Sequence, residues 1–321
     1  MSVSWWPTLR RWMRLPERGW FSGGAVIVTL VLLAGLVAPW MAPHGYDEQD
    51  LTLAVQPPVG AGGTWSNPLG TDPLGRDILS RILYGARVSL GLALVAVIIA
   101  AAIGVTLGLV SGWVGGRVDA FVMSVVEIQL SLPYLLFAIA FMALLQPSLG
   151  NLVIVLVLRS WVVYAQLVRV AVLSMKRREF VTVAVALGAG DWRILFRHIA
   201  PNVLASALVV SSFQLAELII VESSLSFLGL GVQPPMPSWG SMLSQSREYI
   251  SSAWWLVLFP GLAILVTVLG ANLFGDAIRD AMDPRLRGVR AGEVSELPAA
   301  AKTSVAPDVV QSAAGRQGAR A

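Results

Sequence analysis

The chain has 321 residues, 56% of them hydrophobic and only 13% charged, with a mean hydropathy of +0.71. A soluble domain carries about 25% charged residues, so most of this chain belongs in lipid. The absence of cysteine excludes disulfides, thiolate metal sites and cysteine nucleophiles, and the net charge of +4 resides in loops, where it sets membrane topology rather than a nucleic-acid surface.

Residues 1–23 carry Arg10, Arg11, Arg14 and Arg18 ahead of the first apolar run, 24–41. Pro39 and Trp40 interrupt any small-x-small cleavage site, so this run reads as an uncleaved span rather than a signal peptide. The Arg10-Arg11 pair reads as ordinary positive-inside charge rather than a twin-arginine signal. A long loop follows, 42–87. Its first part is rich in Pro and Gly. In its denser second part, Asp72 and Asp77 are placed to cap helical turns, because a carboxylate accepts free backbone N–H groups. A structured cap at the membrane surface is the plain reading of this loop, and a ligand-binding loop the alternative.

Five further runs are long enough to cross a hydrocarbon core, which takes about 20 apolar residues in helical form. They are 88–113, 120–145, 151–173, 203–221 and 253–275. Gly104, Gly108 and Gly112 form a small-residue stripe on the first of these, suited to close helix packing. Glu127, Arg159, Glu217 and Glu222 interrupt the apolar pattern. Ionisable groups at such depth face the bundle interior or an aqueous path. Arg159 matches both Glu217 and Glu222 in depth, so a pair with either is expected, serving helix packing or lining a path. The segment 223–252 contains Gln233-Pro234-Pro235-Met236-Pro237, which cannot be helix. It reads either as a re-entrant element near a pore mouth or as a cap on the last two spans. The tail, 277–321, is expected to be cytoplasmic and largely disordered, since from Gly292 it is rich in Ala, Ser, Val and Gly and lacks periodicity.

With the N-terminus in the cytoplasm, most Lys and Arg fall inside, and only Arg76, Arg81, Arg87 and Arg247 fall outside. The expected topology is six spans with both termini cytoplasmic. His44 and His198 then lie on opposite sides, which argues against a histidine metal site.

The loop 174–202 departs most from the apolar pattern. Phe180, Val183, Ala184 and Leu187 recur at helical spacing and make one apolar face over Glu179–Leu187. Gly188 can end that helix, Asp191 can cap the next turn, and Pro201 suits the start of the fifth span. Two short helices with a tight corner built on small residues suit close approach by another protein.

This loop resembles the Glu-Ala-Ala segment of binding-protein-dependent ABC importer permeases, where the triplet is followed by a glycine and, near the next span, a proline. Here the triplet positions are Thr182, Val183 and Ala184, followed by Gly188 and Pro201, and Thr182 stands where the family carries an acidic residue. Ala186–Ala189 and Arg197-His198-Ile199-x-Pro201-Asn202 fit the pattern. Pro68-Leu69-Gly70-Thr71-Asp72, Leu74-Gly75-Arg76-Asp77, Leu225–Pro235 with Pro237-Ser238-Trp239-Gly240, and Asn272-Leu273-x-Gly275-Asp276 resemble the C-type permease of dipeptide, oligopeptide and nickel importers.

The resemblance implies an all-α membrane protein of six transmembrane helices with the type I importer permease fold. It sits in the bacterial inner membrane with its permease core over 88–276. It also implies a coupling helix that docks on an ATPase through Glu179, Phe180, Thr182, Val183, Ala184, Leu187, Gly188 and Ala189. The implied partners are a B-type permease subunit, two ATP-binding subunits, an extracytoplasmic substrate-binding protein and membrane lipid, with no nucleic acid. No glycine-rich phosphate loop is present, so ATP and Mg belong to the partner ATPases, and no catalytic residue, cofactor or metal is expected on this chain. The expected cargo is a di- or oligopeptide, with nickel chelates or glutathione-like compounds as alternatives. A stand-alone ion-coupled carrier would show internal repeats and ion sites. An intramembrane enzyme would need Ser/His, paired Asp or HExxH within spans.

Overall fold

The computed structural model describes residues 19–282, with side chains described from Gly23 onward. The basic N-terminal segment and the tail beyond Met282, including Arg285, Arg287 and Arg290, lie outside the described residues.

The described chain is helical. Helix α1 spans Gly19–Met41, α2 Ile78–Val114, α3 Gly116–Ser131, α4 Tyr134–Leu145 and α5 Leu149–Lys176. Then come α6 (Glu179–Ala186), α7 (Asp191–Ile194), a π-helical turn (Leu195–Ile199), α8 (Ala200–Phe227), α9 (Trp239–Gln245) and α10 (Trp255–Met282). Five helical segments are long and apolar enough to cross a membrane, with α7 through α8 running as one of them. The bent pair α3–α4 completes a sixth span. The chain is a multi-pass membrane protein.

Several expectations are corrected in detail. The run 120–145 is not one continuous helix: α3 and α4 meet at a 91° bend. Pro133 supplies the reason. It has no N–H to continue the ladder, and its ring drives the preceding residue out of the helical region, so Leu132 sits at ψ 131°. The fifth span does not begin at Pro201. Its helix runs on from Asp191, and the bond that Pro201 cannot make falls beside the π-helical turn, which widens the helix there. Asp191 is the first residue of α7 rather than its cap; the capping position belongs to Gly190.

Helices α2 and α5 run in the same direction and make the largest interface in the fold. The glycine stripe is the cause. A Cβ on Gly104 would lie 2.3 Å from the Trp161 carbonyl oxygen and 2.6 Å from Tyr164 Cβ. On Gly108 it would lie 2.7 Å from Val168 Cβ, and on Gly112 2.9 Å from Val172 Cβ. Only a bare backbone fits at these points. At their shared end, Lys176 Nζ donates to the Trp113 carbonyl (2.6 Å) and sits 5.1 Å from the Trp113 ring centroid. Helix α10 runs antiparallel to α1, with Gly24 against Leu273 and Phe274.

The opposite end is closed by a folded cap built from the loop 42–77 and α9. Asp77 caps α2 by accepting from Ser80 N (2.8 Å) and Ser80 Oγ (2.7 Å), as its position suggested. Asp72 caps no helix. Its Oδ1 accepts from Leu74 N (2.9 Å) and Arg76 N (3.0 Å), while its Oδ2 accepts from Arg76 Nε (2.7 Å) and from Arg81. Both guanidinium groups also donate to Gln245 Oε1, at 3.0 and 3.1 Å. A buried carboxylate thus holds two buried arginines and joins the loop to α9. Trp255 Nε1 donates to the Thr71 carbonyl (3.3 Å) and ties α10 to the same cap. At the rim, the Thr52 hydroxyl and backbone N–H hold the Asp50 carboxyl below the usual carboxylate range.

Candidate functional site

Two places depart from a plain apolar bundle: the helical hairpin at the Lys176 end, and a band of polar side chains midway along the spans.

In the hairpin, Glu179 opens α6, where a carboxylate complements the free N–H groups of the first turn. Gly188 adopts φ +77°, the left-handed conformation glycine tolerates. Gly188 N donates to the Val185 carbonyl (2.9 Å) and Ala189 N to the Ala184 carbonyl (3.0 Å). That paired pattern is a Schellman stop, so Gly188 ends α6 as its position suggested. The face holding α6 to the body is Val181, which is buried, with Ala184 and Ala189 packed behind it. Phe180, Val183 and Leu187 share a different, outward face, and Leu187 is 82% exposed. Thr182 and Glu179 are exposed beside them. Trp192 and Phe196 stack at 5.6 Å centroid separation and are exposed too, while the Phe180 ring lies 6.5 Å from that of His198. Lys176, Arg177, Arg178, Arg193 and Arg197 are exposed along the same segment. An apolar patch beside exposed basic residues, on a loop rather than a span, is the kind of surface that a protein or membrane partner covers. Val181 was missed as the anchoring residue because Phe180, Val183, Ala184 and Leu187 make the more regular stripe. That stripe belongs mostly to the free face.

In the intramembrane band, Arg159 Nη2 donates to Glu217 Oε1 at 2.5 Å, and the Arg159 guanidinium carbon lies 5.5 Å from the Tyr134 ring centroid. Gln214 Nε2 donates to Glu217 Oε2 (3.2 Å), and Ser160 Oγ donates to Gln214 Oε1 (2.6 Å). Gln129, on the last turn of α3, accepts from Trp161 Nε1 (2.9 Å) and donates to the Leu158 carbonyl. The broken span is therefore pinned against α5 beside Arg159. Of the two partners matched to Arg159 by depth, the structure selects Glu217.

Glu222 is elsewhere. It is fully buried and accepts from Ser226 Oγ (2.7 Å) and Ser223 Oγ (3.4 Å), with the Ser89 and Ser238 side chains close by. This serine cage joins α8 to α2 and to the start of α9, where Trp239 is buried and donates from Nε1 to the Ile82 carbonyl (3.1 Å). Glu127 is exposed on α3 and has no partner among the described residues. The four charges thus divide into one pair, one caged carboxylate and one free carboxylate.

A further pair, Arg169 with Asp119, was not singled out in the sequence. Its fork is bidentate, with Arg169 Nε donating to Oδ1 and Nη2 to Oδ2, the latter at 2.6 Å. Their separation of 50 positions gave no local signal.

Comparison with known proteins bears on both places. Residues 104–288, which include the hairpin and the band, match the family described as the binding-protein-dependent transport system inner membrane component. Residues 9–58 match the N-terminal TM domain of oligopeptide transport permease C. The chain is 48% identical over 265 residues to the dipeptide transport system permease protein DppC of Escherichia coli (strain K12), covering 82% of this chain and 88% of that one. It is 41% identical over 282 residues to the di/tripeptide transport system permease protein DppC of Pseudomonas aeruginosa (strain UCBPP-PA14), covering 88% and 93%. The corresponding permease of Alkalihalophilus pseudofirmus is 42% identical over 264 residues, covering 82% and 85%. With its spans, its hairpin and these matches taken together, the chain belongs to the family of binding-protein-dependent transport system inner membrane components.

Proposed function

We propose that this chain is the membrane-spanning subunit of an ATP-driven importer that moves di- or oligopeptides across the cytoplasmic membrane. It pairs with a second permease, rests on two ATP-binding subunits and receives cargo from an extracytoplasmic binding protein. The observation that carries this reading is α6: a short helix with a Schellman stop, anchored by Val181 and presenting Phe180, Val183 and Leu187 outward beside exposed basic residues. Those exposed apolar residues are the contact for an ATP-binding subunit. The hairpin lies at the cytoplasmic end, and the cap of 42–77 and α9 faces the binding protein. The peptide assignment takes its support from the relatives, which are dipeptide and di/tripeptide transport permeases.

In this reading no bond is made or broken on the chain. Closure of the ATP-binding subunits pushes α6 as a rigid body and shifts the bundle between inward- and outward-open populations, each biased by its own partner. Thr182, in place of an acidic residue, leaves Glu179 as the carboxylate on the docking helix.

The test is co-purification of ATP-hydrolysing subunits from mildly solubilised membranes, comparing the unmodified chain with Gly188→Trp. A Cβ on Gly188 meets nothing within 4 Å, so the indole projects from the docking surface, while φ +77° adds strain of about 1–3 kcal/mol. The unmodified chain is expected to retain ATPase subunits and the variant to release them. An unmodified chain that brings down no ATPase would leave a stand-alone carrier as the better reading.

A further inference from the structure

The Arg159–Glu217 pair has unused capacity on one side. Arg159 follows the start of α5, and Glu217 precedes the end of α8, by about ten residues each, so both lie about 15 Å from the cap ends of their helices. That is hydrocarbon depth. A guanidinium offers five N–H donors, yet among the described residues Arg159 places one, on Glu217. Glu217 in turn accepts one bond at each oxygen, from Arg159 and from Gln214. The two side chains remain 28% and 37% exposed. The Arg169–Asp119 pair in the same bundle engages two guanidinium nitrogens with both carboxylate oxygens. An ion pair built only to hold helices together would close its fork in the same way, because unmet donors in lipid are costly. Charged groups at this depth face a bundle interior or an aqueous path rather than acyl chains, so the open side is available to a polar ligand.

We propose that this pair is a cargo-binding site for the two termini of a zwitterionic short peptide. The free N–H groups of Arg159 take the α-carboxylate, and the open lone pairs of Glu217 take the α-ammonium. The existing bond between them keeps the site neutral when empty. Binding swaps water for charge-assisted hydrogen bonds of matched sign without creating net charge in the membrane. Tyr134, over the guanidinium, shields one face of Arg159 from lipid. An extended dipeptide spans about 7 Å, a reach that places both termini on neighbouring helices. The site favours peptides with both termini free over blocked ones, and it depends little on side-chain identity. The inference rests on the peptide-importer reading above.

The experiment uses the intact importer in proteoliposomes, with alanyl-photoleucine as the zwitterionic probe. Uptake of the probe by the unmodified importer tests the importer reading itself; irradiation during turnover then tests the site. Adducts are expected within one helical turn of Arg159, Glu217 or Tyr134. Uptake with no adduct in those windows would overturn the proposal while leaving the importer reading intact. In parallel, Arg159→Gln with Glu217→Gln replaces the pair by neutral side chains of similar length. This double variant is expected to keep its ATPase subunits and their hydrolysis but to lose at least tenfold in dialanine uptake. Uptake within twofold of the unmodified importer would show that the pair only packs helices.

Discussion

Replacing Gly104 by alanine adds one methyl group where α2 and α5 touch. That methyl would stand 2.3 Å from the Trp161 carbonyl oxygen and 2.6 Å from Tyr164 Cβ. A relaxed carbon–oxygen contact needs about 3.3 Å and a carbon–carbon contact about 3.5 Å. Both neighbours therefore ask for the same shift of about 1 Å. Neither can yield alone, since one is backbone and the other the root of a buried side chain. A gap of that size forfeits a quarter to a half of the dispersion energy of the atoms it separates. The same shift would loosen the contacts at Gly108 and Gly112. Overpacking of this kind costs about 1–3 kcal/mol. Gly91, on the same helix, provides the control, because a Cβ there meets nothing within 4 Å. Gly91→Ala should raise stability by about 0.4–1 kcal/mol, because alanine favours the helix over glycine where nothing opposes its methyl. Thermal unfolding of both purified variants in one detergent, against the unmodified chain, measures the difference. Equal midpoints for Gly104→Ala and Gly91→Ala would refute the claim that the stripe is a contact surface.

Two other substitutions probe the buried polar clusters. Asp72→Ala leaves Arg76 and Arg81 buried without their carboxylate, a loss of about 3–5 kcal/mol. Limited proteolysis should then cut within 42–77 at least tenfold faster, and an unchanged cutting rate would mean that the cap is held by other contacts. Glu222→Ala removes the acceptor shared by the serine cage and should cost about 1–3 kcal/mol per unsatisfied donor. Glu222→Gln, which keeps an acceptor oxygen, should recover at least half of the lost thermal midpoint. No recovery would mean that the ionised carboxylate itself is required.

The spans and the short helix ended by Gly188 were legible because each depends on local pattern. Hydropathy marks a span regardless of its neighbours, and Gly188 marks a helix stop through its own backbone. The partner of Arg159 was not legible. Glu217 and Glu222 are both at compatible depth, but five residues rotate about 140° around a helix, so one can face Arg159 only if the other does not. Which one does depends on how α8 is turned against α5, and that is decided by packing far away in sequence. Asp72 illustrates the same limit. Its spacing suited a cap, and nothing local showed that Arg81 and Gln245 would converge on it. The bend at Leu132 could have been read from Pro133, but a hydropathy window sums across a break without registering it. Val181 was hidden for a related reason: an apolar stripe shows that a face exists, not whether it points toward the body or away from it.

The bond from Lys176 to the Trp113 carbonyl has a mechanical consequence. It fastens the ends of α2 and α5 at the point where the chain turns into α6, so any thrust on the hairpin would act on two helices packed along a glycine seam. Helix α5 has 28 residues and is about 42 Å long. Were that doubled strut to pivot by about 10° at its base, its far tip would sweep about 7 Å, roughly the length of two extended residues. A slender single helix would lose part of such a stroke to bending. A paired strut would keep more of it.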